Sequence, residues 1–224
     1  MVKLFNDNGN KVHFVQALLI GLFLLMSTSQ IHAQEFKDNE GETHLGLQMG
    51  LNVTTLFGTE LEFGQAKRGT VLGLHYRRIL TKNFQLRAEL NASLRGSTFG
   101  FTSEERYSAI KLTYLDLPIA AMFNVSGSEA NKHIVVGLEP SFLLQSEVYV
   151  NPDLKARVQN QGFKKNDLAI FIGYHIDKYY LGFEPSIRFG LLNINDGLNL
   201  PNILPPTGKN GTIQNIAVDF RIYF

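Results

Sequence analysis

After residue 40, apolar and polar positions alternate with a period of two, and helical spacing is hard to find. The segment FQLRAELNASLR puts Phe84, Leu86, Ala88, Leu90, Ala92 and Leu94 on one face of a strand. Gln85, Arg87, Glu89, Asn91, Ser93 and Arg95 fall on the other. The same count runs through HLGLQMGLNV, TVLGLHYRRIL, YLDLPIAAMF, HIVVGLEPSFLLQSEV, DLAIFIGYHI, YYLGFEPSIRFG and NIAVDFRIYF, giving eight strands in all. One face of each is apolar and almost free of charge.

The connections alternate in length. TKN joins strands two and three, DK joins six and seven, and NVSGSEANK joins four and five. The other four, TTLFGTELEFGQAKR, GSTFGFTSEERYS, NPDLKARVQNQGFKKN and NINDGLNLPNILPPTGKNG, are long. An even-numbered meander sends all long loops to one end and all short turns to the other, as in an outer-membrane barrel. A soluble barrel would instead turn its apolar face inward around a ligand. Both signs of charge on the polar face argue against that. So do the aromatics near strand ends (Phe84, Phe123, Tyr179, Phe189 and Phe224) and a final strand ending in Phe224. The expected fold is therefore all-β: an eight-stranded antiparallel up-and-down transmembrane β-barrel in the outer membrane.

The N-terminus supplies the export signal such a location requires. Lys3 and Lys11 precede the apolar run ALLIGLFLLM, and STSQIHAQ follows, which reads as a signal peptide over residues 1–33 and a barrel over 34–224. The run is about half the roughly 20 residues of a spanning helix. Removing the leader takes two Lys and one Asp from the 21 basic and 20 acidic residues, leaving 19 of each. A neutral chain is no nucleic-acid binder by charge. With no cysteine, it has no disulfide, no cysteine-zinc site and no lipoprotein anchor.

Two copies of one frame stand out: Gly137-Leu138-Glu139-Pro140-Ser141 and Gly182-Phe183-Glu184-Pro185-Ser186. A carboxylate pair suggests acid–base chemistry. Strand parity, however, sends both glutamates into the lumen, and counting from the short turns puts Glu89 at the same depth. The lumen of an eight-stranded barrel is just wide enough for side chains to fill it. Carboxylates there need partners. The expected lumen network is Arg77, Arg87, Glu89, Asp116, Glu139, Glu184, Arg188, Asp219 and Arg221. Pro140 and Pro185 fall on the lipid side, each at an expected bulge or bend, with Pro118 marking a third. His44, His75, His133 and His175 are scattered, without metal spacing or a recognisable Ser-His-acid set, so no catalytic residue, metal or cofactor is expected.

The chain also resembles the PorT-like outer-membrane β-barrel family of the Bacteroidota. The carriers are LGLQMGLN, LTYLDLPIAAMF, GLEPSF, the run FKKNDLAIFIGYHI with YYLGFEPSIRFGLLNI, and IAVDFRIYF. The resemblance implies an eight-stranded outer-membrane barrel, with a role accessory to protein export across that membrane; it implies no pore. The alternative reading is a narrow porin-like channel or small-solute binder. The long loops are the remaining functional surface. Lys155, Arg157, Lys164 and Lys165 suit outer-membrane lipids and lipopolysaccharide phosphates, while apolar Leu200, Ile203 and Leu204 suit envelope or secretion proteins.

Overall fold

The computed structural model describes residues 40–58, 65–101, 106–127, 131–150, 156–159, 162–197 and 211–224, all within one compact unit, Phe36–Phe224. The expected signal peptide lies outside them, as do Lys155, Leu200, Ile203 and Leu204. The strands are β1 (Thr43–Phe57), β2 (Gln65–Thr81), β3 (Phe84–Phe101), β4 (Arg106–Asp116) and β5 (Ile119–Asn124). They continue with β6 (Lys132–Val150), β7 (Ala156–Gln159), β8 (Asn166–Lys178), β9 (Leu181–Gly190) and β10 (Gln214–Tyr223). Among the described residues there is no α-helix.

Ten strands make eight staves. β4 and β5 both run between β3 and β6 in one continuing register. β7 and β8 both pair with β6, one beyond the other. Every pairing is antiparallel, and β1 pairs with both β2 and β10, so the ring closes without a free edge. The β4–β5 break lies at Leu117-Pro118. Proline has no N–H to give the ladder, and Pro118 falls opposite Glu139 in the β6 register. Leu117 and Pro140 face each other and share one backbone bond, from the Leu117 N–H to the Pro140 carbonyl at 2.9 Å.

The bulge expected at Pro140 lies elsewhere. Register against β8 runs unbroken through Glu139, Pro140 and Ser141, and the shift comes where Leu144 is skipped between Leu143 and Gln145. At Pro185 the β8–β9 pairing lapses opposite Tyr174 and resumes in the same register at Ile176 and Phe183.

Burial is inverted relative to a soluble protein. Leu45, Leu51 and Ile119 are 78%, 65% and 60% exposed, while Arg87, Arg188 and Arg221 are each 1% exposed. The apolar stripe of β3 from Phe84 to Leu94 is about 34 Å long, and at a tilt of about 40° it stands about 25 Å tall, the height of a lipid-facing band. The strands then overrun the segments expected to be loops: β1 reaches Phe57, β2 starts at Gln65 and β3 reaches Phe101. In this overhang the pattern reverses. Leu56, Ile110, Leu112, Tyr114, Val148, Phe163, Ile194 and Ile213 form a buried apolar cluster inside, while Lys111 and Thr113 stand on the outer side of β4. Beyond lipid, water sets the preference, and the hydrophobic effect fills the inside.

Candidate functional site

The polar lumen is one connected lattice with two centres. The first lies toward the short turns. Arg87 on β3 reaches Glu184 on β9 at 2.7 Å and its own strand neighbour Glu89 at 2.7 Å. Glu89 also accepts from Arg221 at 2.6 Å, Gln48 at 2.7 Å, Asn91 at 2.8 Å and the Tyr223 hydroxyl at 3.1 Å. His175 on β8 stands between two carboxylates, with Nδ1 3.1 Å from Glu184 and Nε2 3.0 Å from Asp177. Asp177 in turn takes Arg77 at 2.7 Å.

The second centre lies toward the long loops. Glu139 on β6 pairs with Arg188 at 2.6 Å and with Arg95 on β3. Arg95 also holds Asp116 at 2.8 Å and lies 4.0 Å from Asp167. Arg188 reaches Asp219 at 3.4 Å. Arg221 joins the centres, since its other terminal nitrogen is 3.6 Å from Glu139. Guanidinium forks suit this sharing because each presents several fixed donors to planar carboxylates.

The two glycines of the repeated frame have a local explanation. Gly137 and Gly182 share the inward face with Glu139 and Glu184, and each lies against a ring of β8. A Cβ at Gly182 would come within 2.6 Å of the His175 ring, and one at Gly137 would collide with Phe171. Phe171 packs with Ala120, Met122 and Val135 in a small apolar cluster within the polar lumen.

All nine residues assigned by parity to the lumen are buried. Their arrangement corrects one expectation. Glu89 and Glu184 share Arg87, but Glu139 belongs to the other centre. Counted from the strand starts, Glu89 is five residues into β3 and Glu184 three into β9, whereas Glu139 is seven into β6, so the three carboxylates do not share one depth. Sequence reasoning missed Arg95, Asp167 and Asp177 as members of the lattice. Arg95 and Asp167 have inward parity and were readable; Asp177 was absorbed into the DK turn. Among the loop residues, Lys164 and Lys165 are exposed, and Arg157 lies on β7 opposite Tyr149. Among the described residues, no group of His, Asp or Glu has the arrangement of a metal site.

Polar, ion-paired inside and apolar outside is the arrangement of a transmembrane barrel, and the sequence comparison agrees. Residues 28–196 match the outer membrane protein beta-barrel domain family. The chain belongs to this family. As a member of the beta-barrel domain family it is an outer-membrane protein. Among solved structures it is similar to Neisserial surface protein A at 11% identity, covering 82% of this chain and 99% of that one with a TM-score of 0.52. Ail of Yersinia pestis aligns at 12% identity over 83% of this chain and 100% of its own, with a TM-score of 0.46. OprG of Pseudomonas aeruginosa aligns at 12% identity over 84% and 98%, with a TM-score of 0.41. At these identities the likeness is one of fold. No curated protein matches the sequence.

Proposed function

We propose that this member of the beta-barrel domain family is a sealed barrel that works through its outer surfaces, as an interaction protein accessory to export across the outer membrane. We assign it no catalytic reaction. The observation that carries the reading is the filling of the lumen by two ion-paired centres, with the Ile194 cluster closing the long-loop end. The accessory role rests on the resemblance to PorT-like barrels, and export would follow from the leader at 1–33. The long loops would face outward, with Lys155, Arg157, Lys164 and Lys165 toward lipopolysaccharide and Leu200, Ile203 and Leu204 toward a protein partner.

Conductance across planar bilayers tests the sealed lumen. The reading expects no stable current steps, and steps abolished by Glu139→Ala would overturn it. Affinity capture from the native membrane tests the partner role. Deleting residues 198–210, which spares Ile194 and Ile213, should release a captured envelope protein; an unchanged capture profile would remove the loop from the proposal. Orientation is tested by labelling, because the chain has no cysteine of its own. A cysteine at Lys164 should react with an impermeant maleimide on intact cells, and one at Ser126 should not. The channel reading is favoured by a recess at the short-turn end, lined by His75, Arg77, Arg87, His175 and Tyr223.

A further inference from the structure

Just beyond the apolar belt at the long-loop end, the outer wall of β2, β4 and β6 carries a patch of cations. Arg68 is exposed on β2 opposite Val53, a lipid-facing position of β1. Lys67 leaves the same strand within the register shift between Ala66 and Val71. It lies across β3 at Gly96, with its Cδ 3.2 Å from where a Cβ would stand. Its Nζ donates to the Ile110 carbonyl at 3.3 Å. This brings it beside Lys111, which stands opposite Gly96 on one side and Glu147 on the other. Lys67 feels the charges of both Lys111 and Glu147.

Lys67 and Lys111 therefore stand by one carboxylate, to which Gln145 already donates, and Arg68 adds a third cation next along β2. Gathering like charges on a surface costs energy unless an anion joins them. The cations at the short-turn end are arranged differently: Arg78, Lys82, Lys132 and Lys178 are exposed but spread over three turns. Below the patch, each strand continues into the belt through Leu72, Leu94, Leu115 and Leu144. A ligand here meets positive charge above and apolar wall beneath, which matches a phosphate carried on acyl chains and gives a free phosphate no use for the wall.

We propose that Lys67, Arg68 and Lys111 bind the phosphate of lipid A, with its acyl chains lying along Leu72, Leu94 and Leu115. Lysine and arginine serve this chemistry through charge-assisted hydrogen bonds to phosphate oxygens. The proposal rests on the outward orientation of the long loops given above.

The test uses the full chain, refolded in detergent, with lipid retention read by native mass spectrometry. Diphosphoryl lipid A should be retained, and its phosphate-free counterpart and phosphatidylglycerol should be lost. A Lys67→Gln/Lys111→Gln variant should bind about tenfold more weakly, and Arg68→Gln should show a smaller loss. Lys132→Gln/Lys178→Gln should match the parent. Unchanged urea midpoints show that these variants fold. Equal retention of the phosphate-free lipid, or by the Lys67/Lys111 variant, would overturn the site. Equal retention of phosphatidylglycerol, or displacement by millimolar inorganic phosphate, would overturn lipid A as its ligand. Reversed cysteine labelling would overturn the orientation and so the lipopolysaccharide source, while leaving phosphate binding in detergent intact.

Discussion

Arg87 and Glu184 meet at 2.7 Å across the lumen, from β3 to β9, with both side chains 1% exposed. Neither has water to fall back on. Removing one partner of such a pair strands the other charge, at a cost of about 3–5 kcal/mol. Glu184→Ala should therefore lower the urea midpoint strongly at constant m-value. Glu139→Ala should do the same through Arg188 and Arg95. Unchanged midpoints in both would show that the lattice carries no stability.

The division into two centres makes a separate prediction. Glu89 and Glu184 share Arg87, so their alanine variants should be non-additive by about 0.5–3 kcal/mol, as expected for contacting residues. Glu184 and Glu139 share no arginine, and their double variant should add more nearly. A double-mutant cycle with equal coupling in both pairs would dissolve the distinction.

Gly182→Ala should weaken the short-turn centre because the new methyl meets the His175 ring at 2.6 Å. The ring has carboxylates on both sides and cannot move without losing one. Overpacking of this kind costs about 1–3 kcal/mol. Pairing the change with His175→Ala should relieve most of the added cost. A penalty that persists in the double variant would mean the backbone, rather than the ring, is at fault.

The lipid-facing wall has its own test. Leu138 on β6 is 49% exposed near the middle of the belt. Leu138→Arg should cost about 2–4 kcal/mol in a bilayer, whereas Thr113→Arg near the rim should cost about 0–1 kcal/mol. Equal costs, measured by reversible urea unfolding into vesicles, would contradict the assignment of the belt.

Ile194→Ala probes the closure at the long-loop end. Truncating a buried isoleucine costs about 2–5 kcal/mol through lost burial and the cavity left behind. Faster protease cleavage near residues 191–197 is the expected result, with the membrane-embedded staves still resistant. Unchanged cleavage would show that this segment is held by its backbone and asparagine hydrogen bonds rather than by the packing of Ile194.

The inside-out barrel was legible because lipid and lumen impose opposite demands on successive residues, as the Phe84–Leu94 stripe records. Legibility failed where the solvent changes. Ile110 and Leu112 lie on the same inward face as Asp116, yet they are apolar because water rather than lipid surrounds that level. A reading tuned to lipid therefore took the overhang for loop. Pairing was also out of reach. Parity identifies Glu139 as inward, but choosing Arg188 and Arg95 over Arg87 depends on stave tilt and starting height. Lys67 turns toward Lys111 only because of a register shift and the missing side chain of Gly96, neither of which alternation reports.

The pairing of β1 with β10 also fixes an order of events. The ring cannot shut until the residues up to Tyr223 have been delivered, so the earlier staves must wait as an open sheet. Their inward charges wait with them: Glu89 meets Arg221 only when β10 docks. Closure and the final pairings made by Arg221 then come together late, with long loops to close before any reward. During that wait both sheet edges remain unpaired templates onto which another strand could add.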